Sequence, residues 1–150
     1  MIGRRLGGSI RMSRLYLSAP VGPVDQPNFV NAVGLTVSAR APAEILDILK
    51  SLEQEAGREI PVRRWGARQL DIDLLDYGGE IDGWDVPHDP QRPRRLVLPH
   101  PLMHERAFVL VPLQDVLPDW RHPVLGASVA ELLDALPGGR SGLAPIDGSE

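Results

Sequence analysis

Leu70-Asp71-Ile72-Asp73-Leu74 is the stretch whose residue types and spacing point most directly to chemistry. In a strand, successive side chains point to opposite faces, so Leu70, Ile72 and Leu74 are expected on a core and Asp71 and Asp73 together on the other face. Alternate Cα atoms of a strand lie roughly 6.6 Å apart. Two carboxylates at that spacing can reach one magnesium ion or share two ions about 3.5–4 Å apart. Magnesium takes oxygen ligands from a few carboxylates and from substrate phosphates. Taken alone, the D-x-D pair is more simply read as two solvated acids on an amphipathic strand. Its neighbourhood reverses that balance. Arg64-Trp65-Gly66-Ala67-Arg68 comes just before it. Arginines beside carboxylates ordinarily form ion pairs; with a metal and a polyphosphate bound, the same guanidiniums become phosphate ligands. Trp65, in a charged loop with a glycine, can stack on a planar ring or serve as a partly buried packing residue.

A second cluster is Leu98-Pro99-His100-Pro101-Leu102-Met103-His104-Glu105-Arg106. Prolines on both sides fix the backbone of His100. A rigid histidine near arginines can hydrogen-bond a phosphate or transfer a proton. The i, i+4 spacing of His100 and His104 raises zinc. Pro101 argues against a helix through both, and no further histidine or cysteine cluster completes such a site. His88 reads as exposed. Gly3–Ser9 has glycines but no lysine where a phosphate loop needs one, and no strand before it.

The elements that must position these residues can be read from periodicity. Ile10–Ser18 reads as a strand whose apolar phase shifts between Met12 and Leu15, as at a bulge. Ala19–Asn28 is a proline-rich loop. Phe29–Ser38 is a second strand with Val33, Leu35 and Val37 on one face, and the two strands form a hairpin with a long connection. A helix follows, opened by Pro42, striped by Ile45, Leu46, Ile48, Leu49 and Leu52, and stopped by Gly57. Gln69–Asp76 is a third strand, Asp76–Pro93 a surface excursion, and Arg95–Leu98 a short strand. Glu105–Val116 has helical spacing with a kink or early break expected at Pro112. Ser128 and Glu131 fit a capping box for a helix over Ser128–Leu136, which Gly138 and Gly139 end. Arg140–Glu150 reads as a loose tail.

The bulk numbers set outer limits. The chain has 150 residues, a length that suits one domain over residues 1–150. Hydrophobic residues make up 43% and charged residues 24%, as in ordinary globular chains. With no cysteine, disulfides and thiolate metal sites are excluded. No apolar run is long enough for a membrane span, and no signal sequence opens the chain, so no membrane partner and a cytoplasmic location are expected. A net charge of −4 gives no support to nucleic-acid binding. Arginines nevertheless gather at Arg58, Arg63, Arg64 and Arg68 and again at Arg92, Arg94, Arg95 and Arg106. Each group is either a solvated loop or a binding place for a small polyanion.

In order and spacing, three blocks resemble the 6-hydroxymethyl-7,8-dihydropterin pyrophosphokinase family. They are Leu17–Asn31 (LSAPVGPVDQPNFVN), Arg64–Tyr77 (RWGARQLDIDLLDY) and Leu98–Pro112 (LPHPLMHERAFVLVP). The likeness runs from about Ile10 to Leu136. It implies an α+β, ferredoxin-like layered domain with a mainly antiparallel sheet, and transfer of diphosphate from ATP to a hydroxymethyl-dihydropterin in folate biosynthesis. It further implies two magnesium ions on Asp71 and Asp73, ATP contacts from Arg68, Arg95, His100 and Arg106, and charge stabilisation by the three arginines. Ser18, Val21, Phe29 and Asn31 match the pterin pocket, Trp65 and Phe108 the aromatics that enclose the substrate. A monomer is expected.

The chain departs from the family pattern in places. Ala67 replaces a frequent proline, and Val97 stands where a hydroxyl residue can help to bind ATP. Family members open with a strand, a Gly-Ser-Asn-type loop and a helix, for which there is no room before Ile10. The expectation is that this first strand is missing, that the natural protein begins further upstream, and that the chain as written is unstable or inactive alone. Two other readings stay open: another magnesium-dependent phosphotransferase using the same carboxylates, and a non-catalytic remnant of the family.

Overall fold

Where the apolar phase of Ile10–Ser18 shifts, the chain breaks into two strands. The structure, a computed structural model, describes residues 8–18, 29–59, 70–84, 96–139 and 143–146. Its strands are β1 (Ile10–Met12), β2 (Tyr16–Ser18), β3 (Phe29–Asn31), β4 (Gly34–Thr36) and β5 (Leu143–Pro145). Its helices are α1 (Pro42–Glu59), α2 (Ala107–Val116) and α3 (Val129–Ala135), with a 3-10 turn at Met103–Glu105. The architecture is α+β. One sheet pairs β1 with β4; the other has the order β3-β2-β5, and both of its pairings are antiparallel.

Ser13 explains the break between β1 and β2. It is buried, its hydroxyl accepts the Val33 N–H at 2.9 Å and donates to the Arg14 carbonyl at 2.7 Å, and its own N–H donates to the Val33 carbonyl at 2.8 Å. A side chain thus takes a place that a ladder partner would hold, and the regular alternation stops there. The second expected strand is likewise split, into β3 and β4. Val37 is 87% exposed, so it does not share the buried face with Val33. The hairpin itself is present: Tyr16 pairs with Asn31, Leu17 with Val30 and Ser18 with Phe29.

The described residues form two compact units, one made of those up to Ile10 and from Thr36 to His100, the other of Arg11–Leu35 and those from Pro101 onward. In the first, Ile45 and Leu49 of α1 are the buried centre, and Ile10, Ile48, Leu52, Ile72, Leu74 and Tyr77 pack on them. The helical stripe therefore does what its spacing requires. Gly57 does not stop α1, which runs on to Glu59. Residues 70–76 are not a strand. Their hydrogen bonds go elsewhere: the Ile72 N–H to a side chain of α1 and the Leu75 carbonyl to the His100 N–H. Arg95–Leu98 likewise gives only an isolated bridge between Asp82 and Leu98, with Arg95 itself outside the described residues.

In the second unit α2 packs on α3, on the 3-10 turn and on β2 and β3. Leu110, Val111, Leu113, Val116, Val129, Leu132 and Leu133 are buried there. Pro112 neither breaks nor shortens α2, and it too is buried. A proline at this place removes only one donor, the one that would have reached the Phe108 carbonyl. The capping box at α3 forms as expected: the Glu131 N–H donates to Ser128 Oγ at 3.1 Å, and the Ser128 N–H to Glu131 Oε1 at 2.8 Å. Gly138 and Gly139 follow with φ of 80° and 50°, a left-handed conformation that suits glycine at a helix end. The tail beyond Arg140 is not wholly loose. Leu143–Pro145 pair with β2, and the Ile146 N–H continues the pairing to the Leu15 carbonyl at 2.9 Å.

Candidate active site

Side-chain alternation survives across the D-x-D stretch even without a ladder. Ile72 and Leu74 turn toward Ile45 and Leu49, while Asp71 and Asp73 are exposed. Leu70 departs from the expectation, being 43% exposed rather than in the core. What sets this register is Glu53, one helical turn beyond Leu49. Its Oε2 accepts the Ile72 N–H at 2.5 Å, so a carboxylate of α1 grips the backbone between the two aspartates. Lys50 Nζ lies 3.5 Å from the other oxygen of Glu53. Two exposed carboxylates on alternate residues fit magnesium, which keeps waters and takes its remaining oxygens from phosphate. Among the described residues no group of three or more His, Cys, Asp or Glu forms a closed metal cage.

His100 belongs to the same unit, and its segment is pinned residue by residue. Leu98 exchanges backbone hydrogen bonds with Asp82 at 2.8 and 2.9 Å. The Leu98-Pro99 peptide is cis, and the Pro99 carbonyl accepts the indole N–H of Trp84 at 2.7 Å. The His100 N–H donates to the Leu75 carbonyl at 2.7 Å. His100 is thereby tied two residues beyond Asp73. Glu53 and Trp84 were not legible as site residues: each acts on backbone at a distance in sequence, and neither lies in a motif.

The second unit holds Ser18, Phe29, Asn31, Arg106 and Phe108. Asn31 Nδ2 donates to Ser18 Oγ at 2.8 Å across the β2–β3 hairpin. The amide keeps one further N–H and its oxygen's acceptor sites for a polar ring edge. Arg106 is the residue before α2, and its guanidinium stands 5.6 Å from the centroid of the Phe108 ring. Phe108 is 39% exposed, so its ring is accessible for stacking. The structure thus brings Ser18 together with Asn31, and Arg106 together with Phe108. Val21, Trp65, Arg68 and Arg95 lie outside the described residues, as does the side chain of Phe29.

His104 belongs to the second unit. It is in the 3-10 turn, where its Nε2 lies 3.3 Å from Glu105 Oε2 and its ring meets that of His122 edge-on at 5.5 Å. His122 is fully buried, and its Nδ1 accepts the N–H groups of Val124 and Leu125 at 3.2 and 3.1 Å. This imidazole organises the turn before α3.

The first unit thus carries two exposed carboxylates and a pinned histidine, and the second carries a hydrogen-bonded polar pair on its hairpin and, at the start of α2, an arginine against a partly exposed aromatic ring. Residues 2–118 match the family model described as 7,8-dihydro-6-hydroxymethylpterin-pyrophosphokinase (HPPK), and the chain belongs to that family. It is similar to a 2-amino-4-hydroxy-6-hydroxymethyldihydropteridine pyrophosphokinase of Pseudomonas aeruginosa, 44% identical over 128 residues, which are 85% of this chain and 72% of that protein. The protein of the same description from Haemophilus influenzae is 43% identical over 110 residues, 73% of this chain and 62% of that one. A mitochondrial folate synthesis bifunctional protein of Arabidopsis thaliana is 41% identical over 107 residues, 71% of this chain and 18% of that protein. No helix among the described residues is long and apolar enough to cross a membrane.

Proposed function

We propose that the chain transfers the diphosphate of ATP to 6-hydroxymethyl-7,8-dihydropterin and releases AMP, a step of folate biosynthesis. The observation that carries this reading is the pair Asp71 and Asp73, both exposed, with the backbone between them held by Glu53. In the reaction the pterin hydroxymethyl oxygen forms a bond to the β-phosphorus and gives up its proton to solvent water. The bond from that phosphorus to the oxygen bridging it to the α-phosphate breaks, and that oxygen leaves with AMP. Asp71 and Asp73 hold magnesium, two ions in this reading, which when bound neutralises phosphate oxygens. Arg68, Arg95 and Arg106 oppose the charge of the transferred group, and His100 hydrogen-bonds the triphosphate. Ser18, Val21, Phe29 and Asn31 form the pterin pocket, with Trp65 and Phe108 against the faces of the ring. Positioning and charge stabilisation supply most of the rate enhancement in such transfers. The protein is read as a cytoplasmic monomer, and light scattering of the purified chain checks the oligomeric state.

The test is to incubate the chain with ATP, magnesium and the hydroxymethyl-dihydropterin and to follow the nucleotides by phosphorus NMR. Pterin-dependent appearance of AMP is expected. Release of ADP, or AMP formation indifferent to the pterin, would overturn the reading.

A further inference from the structure

The strand that carries Ser18 is held by a hydrogen-bonded group that the proposed reaction leaves unused. The Tyr16 hydroxyl donates to Asp115 Oδ2 at 2.8 Å and accepts from Arg14 Nη2 at 3.0 Å. The same Asp115 oxygen accepts the backbone N–H of Arg14 at 3.2 Å and lies 3.5 Å from Arg14 Nε. The Arg14 guanidinium also stands 5.5 Å from the centroid of the Tyr16 ring. Asp115 is in the last turn of α2, and Tyr16 is buried. Burial, and then the Asp115 carboxylate, push the Tyr16 hydroxyl above its ordinary pKa, so it remains a donor.

A core position needs only an apolar ring; a tyrosine whose hydroxyl meets a carboxylate fixes the strand along its length as well. Tyr16 is the register partner of Asn31 and lies two residues before Ser18, so all three side chains project from one face of the hairpin. A slide of β2 would separate Ser18 from Asn31. The opposite edge of β2 is held by β5, so within the unit the strand is fixed by both neighbours and by α2.

We propose that Asp115 is a positioning residue for the pterin pocket, acting through the Tyr16 hydroxyl on the Ser18–Asn31 hydrogen bond. The proposal rests on the reading of Ser18 and Asn31 as pterin-binding residues. Its test uses Tyr16→Phe, Asp115→Ala and Asp115→Asn in the full chain. Pterin and a non-hydrolysable ATP analogue are titrated separately by calorimetry. The side-chain amide signals of Asn31, identified by their loss in Asn31→Ala, are followed in nitrogen–proton correlation spectra. Tyr16→Phe and Asp115→Ala should each weaken pterin about five- to ten-fold, leave the ATP analogue within about two-fold, and move the Asn31 signals. Asp115→Asn keeps an oxygen acceptor for both donors and should restore most of the pterin affinity. Unmoved Asn31 signals, pterin affinity unchanged in both variants, or equal loss of both ligands would overturn the proposal. A wild-type chain that binds no pterin refutes the functional reading instead, and the Asn31 signals still decide whether Asp115 positions that side chain.

Discussion

Glu53→Ala tests what holds the two aspartates in place. Glu53 Oε2 accepts the Ile72 N–H at 2.5 Å, and the Glu53 side chain is only 18% exposed. A hydrogen bond to a charged group contributes about 1.5–3 kcal/mol net. The lower figure applies, because the neighbouring residues are exposed and water can reach the freed N–H. Lys50 adds little, since an ion pair with a half-exposed lysine is worth about 0–1 kcal/mol. A loss of about 1.5 kcal/mol should lower the melting temperature by about 3–6 °C in a chain of this size. If the same energy holds Asp71 and Asp73 in register, half-saturating magnesium should rise roughly ten-fold. AMP release measured against magnesium concentration, with a thermal melt of the same sample, reads both quantities. Glu53→Gln retains an oxygen acceptor and should recover most of each. A Glu53→Ala chain that melts and saturates with magnesium as the wild type does would refute the argument that α1 sets the carboxylate pair.

Asp71→Ala and Asp73→Ala should each abolish diphosphate transfer and leave the circular dichroism spectrum unchanged, because both side chains are exposed; near-normal turnover in either would remove it from the metal site. Asn31→Ala and Trp65→Ala should weaken pterin more than an ATP analogue in calorimetry, and equal losses would argue against the assigned pocket. Ser128→Ala should cost about 1 kcal/mol in denaturant unfolding, since it removes the acceptor for the Glu131 N–H. The Ser128 N–H and then its hydroxyl hold the Glu131 carboxyl below its ordinary pKa. The ionised form is the one bound, so this stabilisation is present above the ordinary carboxylate pKa and is lost as pH falls through the lowered folded value. The gap in unfolding midpoint between wild type and Glu131→Ala should therefore narrow on acidification.

The parts of this fold that local chemistry decides were readable from the chain. The stripe of α1 and the capping box of α3 each depend on residues within a turn or two of one another, and both formed. Three expectations failed where a distant group competed with local pattern. Ile10–Ser18 reads as one strand with a phase shift at a bulge, but the Ser13 hydroxyl takes up the Val33 N–H and splits it into two. Gln69–Asp76 has the composition of a strand, yet its described backbone groups find Glu53 and His100. Leu143–Pro145 carry no strong strand signal of their own, and they become one because β2 offers an edge. The candidate site divides the same way. Asp71, Asp73 and His100 announce themselves by residue type and by their neighbours in sequence. Glu53 and Asp115 do not, because a glutamate on a helix and an aspartate at a helix end are ordinary surface residues until the backbone N–H or the hydroxyl that they accept is known. Groups that touch substrate must be of particular chemical types, so they leave a mark in the sequence. Groups that place them need only an oxygen at the right point, which many residues could supply. The fold alone identifies which residue supplies it.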